Sequence, residues 1–197
     1  MNNVAELIAS AGLGLLSGIG SVLALSGLVT NQGHLAESIE INGWRSLWAI
    51  GTEAESPYSK IWVARNGLFA LRREEAVYFI INQDRAGERL REECDYRLDV
   101  PNLPAAWWSV TVYNARNFLP QNDDRRFSFD ATRAETLQTK SILLSAHPPT
   151  HDLPWISLNN AGDFDVTLRL YQPDETVLSD PVTALTLPPL NKLGCKG

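Results

Sequence analysis

Cysteine, histidine and positive charge are all scarce in this chain. Its 197 residues include two cysteines, three histidines and one methionine. Cys94 and Cys195 lie far apart, no Cys-x-x-Cys is present, and neither has a histidine close by in sequence. The short ligand spacing of a zinc site or a dithiol redox motif is therefore missing. Lys and Arg number 17 against 23 Asp and Glu, a net charge of -6. An acidic chain without a basic stripe does not bind nucleic acid through its phosphates. There is no phosphate-binding loop, no nucleophile elbow and no paired-carboxylate motif. Gly18-Ile19-Gly20 has neither the preceding strand nor the following acidic residue of a dinucleotide loop. No catalytic residue, cofactor or metal is expected, although carboxylates distant in sequence can still meet in space.

The most informative absence is local. From Leu7 to Gly33 there is no Asp, Glu, Lys or Arg, and Leu7 to Val29 consists of Leu, Ile, Val, Ala, Gly and Ser. A bilayer core is spanned by about 20 apolar residues in a helix, which satisfies its own backbone and so tolerates glycine. A soluble core helix carrying this many glycines is weak. A cleaved signal peptide is the nearer rival, but the segment lacks a basic start and exceeds the usual apolar length. Residues 1–29 are thus read as a single transmembrane helix, 30–42 as a linker and 43–197 as the main domain. Ser10, Gly14 and Gly18 recur every fourth residue, a spacing that lets a second membrane helix approach closely. The expected partners are the lipid bilayer and a membrane protein. Trp44 and Trp48, just past the linker, suit a membrane boundary or an interface.

Cys195 is the third residue from the end, where a free thiol does little and a disulfide to Cys94 pins the chain. That pairing places the domain in an oxidising space such as a periplasm. The alternative is two unrelated thiols in a reducing compartment.

The main domain reads as strands separated by turn residues, over 77–81, 94–100, 107–113, 125–129, 140–146 and 165–171, with a short last one at 183–187. A single short helix is expected over 57–71, where Ile61, Ala64, Leu68 and Leu71 share a helical face. With no alternation of strand and helix, the fold class is mainly β: an antiparallel, jelly-roll-like β-sandwich. His147 and His151 are spaced as helix ligands, but Pro148-Pro149 excludes a helix there, so they and Asp152 read as a loop. Arg169 alternates with Leu168 and Leu170, so it projects away from the core beside Thr167 and Tyr171, to pair with a carboxylate or stack on a ring.

The run from Trp107 to Tyr113, followed by Phe118-Leu119 and Asn122, resembles a bacterial family of unknown function numbered 1214. So do Trp155-Ile156, Gly162-Asp163-Phe164, Leu168-Arg169-Leu170-Tyr171 with Pro173, and the ending Leu187-Pro188-Pro189 with Cys195. The chain is similar to the short, membrane-anchored members in its apolar amino-terminal segment, its Cys94 before Tyr96 and its second cysteine at the tail. The resemblance implies a β-sandwich, found beside a second domain in longer relatives, and no established reaction. Two departures are Ser157, where a proline commonly follows, and the missing basic residues ahead of the apolar segment. The combined expectation is a bacterial inner-membrane protein, single-pass, with a non-enzymatic periplasmic domain serving a membrane complex as accessory subunit or interaction module. The rivals are a hydrolase and a carbohydrate- or lipid-binding domain; a binding sandwich would line one open face with aromatic rings.

Overall fold

The computed structural model describes residues 2–25, 38–48, 71–150 and 153–196. These belong to two compact units: residues 1–37 with 49–70, and residues 38–48 with 71–197. The described part of the first unit is helix α1 (Asn2–Leu25). Within it Glu6–Ala24 is long and apolar enough to cross a membrane, with a mean hydropathy of 1.9. Its 24 residues rise about 1.5 Å each, enough for a hydrocarbon core of about 30 Å.

The second unit is a β-sandwich. Its larger sheet has the order β1 (Ser38–Ile41), β2 (Trp44–Leu47), β3 (Ala76–Ile81), β9 (Phe164–Pro173), β5 (Ala105–Asn114) and β6 (Ser128–Asp130). The smaller has the order β10 (Leu190–Cys195), β4 (Cys94–Asp99), β7 (Ser141–Ser145) and β8 (Trp155–Ser157). Period-two alternation sorts the side chains of the larger sheet. Val77, Phe79, Ile81, Trp108, Val110, Val112, Phe164, Val166, Leu168 and Leu170 are buried on its inner side. Tyr96, Leu98, Ile142, Leu144 and Ile156 of the smaller sheet join the same apolar core, where Tyr96 meets Phe164 edge-on at 5.7 Å.

Several expectations need correction. The folded unit begins inside the expected 30–42 linker, because Asn42 and Gly43, with φ of 52° and 82°, close a two-residue hairpin between β1 and β2. Asn-Gly is a strong short-range hairpin signal, since both turn positions need positive φ. The expected helix over 57–71 falls almost wholly outside the described residues. Among the described residues three other short helices are present: α2 (Ala131–Leu137), α3 (Glu175–Ser179) and α4 (Pro181–Ala184). Helix α4 replaces the expected strand at 183–187, because Pro181 occupies its first turn and the Asp180 carboxylate accepts from Thr183 N. The last strand is β10 instead. The sheets are also not wholly antiparallel: β8 pairs parallel with β7, and Trp155 Nε1 donates to the Ser145 carbonyl at 2.8 Å.

Candidate functional site

Alternation along the three central strands of the larger sheet fixes which side chains look outward. Tyr78 lies opposite Arg169, Arg169 opposite Ser109, Thr167 opposite Thr111, and Tyr171 opposite Trp107. With Tyr113 these residues form one outward face. Ser109, Thr111 and Thr167 are buried in its floor, whereas Tyr78, Trp107, Tyr113, Arg169 and Tyr171 are partly exposed. Most outward sheet faces alternate charged and polar groups. This one carries four aromatic rings, two of them beside a guanidinium.

The guanidinium is held in place. Arg169 Nη1 donates to Thr111 Oγ1 at 3.1 Å and Nη2 to the Tyr113 hydroxyl at 2.6 Å. Its carbon lies 5.8 Å from the Tyr78 ring centroid and 5.5 Å from that of Tyr113, within cation–π range. Among the described residues the ion pairs are made by Arg89, Arg97, Lys192 and Lys196, and Arg169 makes none. Burial raises the Tyr78 phenol above its ordinary pKa, an effect the positive charge of Arg169 partly offsets. At the other end of the face Trp107 and Tyr171 meet edge-to-face at 5.2 Å, and Trp107 Nε1 donates to Thr132 Oγ1 at 3.0 Å. That bond anchors the indole and leaves its ring as a platform.

A cleft lies where β5 runs into its loop. It is a shallow cleft of about 540 Å3 lined by Asn114, Arg116, Phe118, Leu119, Gln121 and Asn160. Asn114 Oδ1 accepts from the backbone of Arg116 and Phe118, which turns Phe118 outward to 67% exposure. Asn122 and Asn160 cross-link this loop to the one after β8 through the Asn159 and Gln121 carbonyls.

Cys94 and Cys195 are joined in a disulfide, on neighbouring positions of β4 and β10 with Cα atoms 3.8 Å apart. Ser10, Gly14 and Gly18 lie along one stripe of α1, where a side chain added at either glycine meets nothing within 4 Å. The two tryptophans assigned to a membrane boundary or an interface require correction. Trp44 is fully buried, with Nε1 donating to the Pro188 carbonyl at 2.7 Å. Trp48 is 8% exposed, packed against Phe79 at 6.5 Å with the Arg73 guanidinium over its ring. Both complete the domain's own core, because β2 turns them toward the sandwich interior. His147 lies in the loop after β7, and His151 and Asp152 lie outside the described residues. Sequence reasoning placed Arg169 and Tyr171 on the outward side but missed Trp107 and Tyr113. The signal was the strand alternation itself, once Val110 and Val112 are assigned to the core.

Residues 75–175 match the model of a family described as proteins of unknown function, DUF1214. That span contains the whole aromatic face. The crystal structure of the VPA0106 protein from Vibrio parahaemolyticus is similar in fold, with a TM-score of 0.58 at 20% identity over 96% of this chain. This chain spans 46% of that protein's length. A structure of a protein from Burkholderia cenocepacia matches 59% of this chain and 29% of its own, at 12% identity and a TM-score of 0.38. No curated protein matches.

Proposed function

The chain belongs to the DUF1214 family, and from that premise we propose that it is a membrane-tethered, non-enzymatic binding module of the periplasm. The observation that carries the reading is the outward face of the larger sheet, where Tyr78 and Tyr113 flank an arginine that has no carboxylate partner among the described residues and Trp107 pairs with Tyr171 at the other end. Aromatic and arginine side chains are the groups that concentrate at recognition surfaces, since each buries much area and keeps a polar end for orientation.

Two further features supply the setting. The disulfide between Cys94 and Cys195 suits an oxidising compartment. Helix α1 suits an anchor, with its Ser10, Gly14 and Gly18 stripe toward a neighbouring membrane helix. The module thus serves a membrane complex as an accessory subunit that holds a ligand at its sheet face.

A photo-crosslinking residue tests this in intact cells. p-Benzoylphenylalanine replaces Tyr171 on the face in one strain and the exposed Arg97 on the smaller sheet in another. Specific adducts from position 171 and none from position 97 are expected. Adducts confined to position 97 overturn the reading.

A further inference from the structure

The reading of this face as the binding surface leads to the class of its ligand. We propose that Arg169, Trp107 and Tyr171 bind an acidic saccharide, a short sugar chain whose carboxylate sits on the guanidinium while another of its rings lies on the aromatic pair.

Three observations converge on that class. First, the guanidinium is charged but unneutralised. A guanidinium has five N–H donors. Arg169 spends two of them on neutral oxygens, those of Thr111 and Tyr113, and pairs with no carboxylate among the described residues. Those two bonds fix its plane and leave the remaining donors for an incoming oxyanion. A carboxylate matches that fork with two parallel hydrogen bonds. Second, the face is long. The guanidinium is bonded at Thr111, four residues along β5 from Trp107, which is roughly 13 Å of strand. One small anion does not reach both ends, whereas a chain of two or three rings does. Third, the buried floor is hydroxylic, with Ser109 between the ends and Thr111 and Thr167 beneath the guanidinium end. An acyl chain gains little from buried hydroxyls. A sugar presents a flat C–H face to Trp107 or Tyr171 and hydroxyls to the rest of the face.

The test uses the full-length chain in detergent, titrated by calorimetry and tryptophan fluorescence with trigalacturonic acid, its methyl ester and maltotriose. Trigalacturonic acid is expected to bind saturably and at least tenfold more tightly than the ester. Arg169→Gln should remove that tenfold preference by weakening the acid, and Trp107→Leu should weaken acid and ester alike. Arg169→Lys, which keeps the charge without the fork, should retain part of the preference. Equal binding of acid and ester, or an Arg169→Gln effect shared by both, overturns the proposal. So does failure of all three sugars to bind a chain whose circular dichroism and melting are native. If position 171 still crosslinks in cells after such a failure, the face remains a binding surface and only the ligand class is lost.

Discussion

Trp44 is wholly buried, and its indole nitrogen reaches the carbonyl of Pro188 at the far end of the sequence. Trp44→Phe keeps most of the packing but leaves that carbonyl without its donor, at a cost of about 1–3 kcal/mol. Urea denaturation should show a lowered midpoint with an unchanged slope. Tyr96 is the second such residue. Its hydroxyl accepts from Arg91 N at 3.0 Å, and burial raises its pKa above the ordinary 10.0. A tyrosine with a raised folded-state pKa holds its proton more tightly when folded. Its contribution is therefore complete below the unfolded pKa and declines as pH rises through 10 toward the folded value. Tyr78 acts in the same direction, with burial as the leading cause. Stability measured between about pH 8 and 11 should fall at the alkaline end. Tyr96→Phe should cost about 1 kcal/mol at neutral pH and flatten that decline. An alkaline slope identical to that of the native chain would show that Tyr96 plays no part in it.

Among the elements, β10 is the one most dependent on a covalent tie. Only Leu190 of that strand is buried, and it is an edge strand paired to β4 alone. The disulfide closes a separation of 101 residues. A loop of that size is worth up to about 4.7 kcal/mol in the chain-entropy account, with 2–4 kcal/mol commonly realised. Replacing both cysteines by serine should lower stability by about 2–4 kcal/mol, and limited proteolysis should then trim the tail beyond Leu190. A tail still resistant in that variant would mean that the Lys192 pairs to Glu88 and Asp84 suffice to hold it. For α1, the small-residue stripe predicts that Gly14→Leu with Gly18→Leu abolishes recovery of a membrane partner in mild detergent. Unchanged recovery would place that contact elsewhere.

For the molecule as a whole, tether and disulfide together predict a topology. Alkaline phosphatase fused after Gly197 should be active, and a green fluorescent protein fused there should be dark. The reverse pattern would place the domain in the cytoplasm. Apolar amino-terminal helix, strand-rich domain and family were all legible in the sequence, because uncharged length, period-two alternation and local motifs are properties of neighbouring residues. Residues around Trp107–Tyr113 and Leu168–Tyr171 carried the resemblance, and they build the two strands on which the candidate face rests. The face itself was only half legible. Arg169 was seen to point outward, but its companions come from β3, β5 and β9, and strand order is not written in any one of them.

By itself the sequence determined where charge is absent, which residues alternate and which turns need positive φ. Those features decided that an apolar helix precedes a β-rich domain, since each depends on contacts only a few residues apart. Tertiary structure alone decided that Trp44 and Trp48 belong to the core rather than to a membrane boundary, that α4 stands where a last strand was expected, and that Tyr78 and Tyr113 flank Arg169 on a face that also carries Trp107. Each of these outcomes depends on which strands become neighbours, and that is settled by burying the apolar faces of two sheets together.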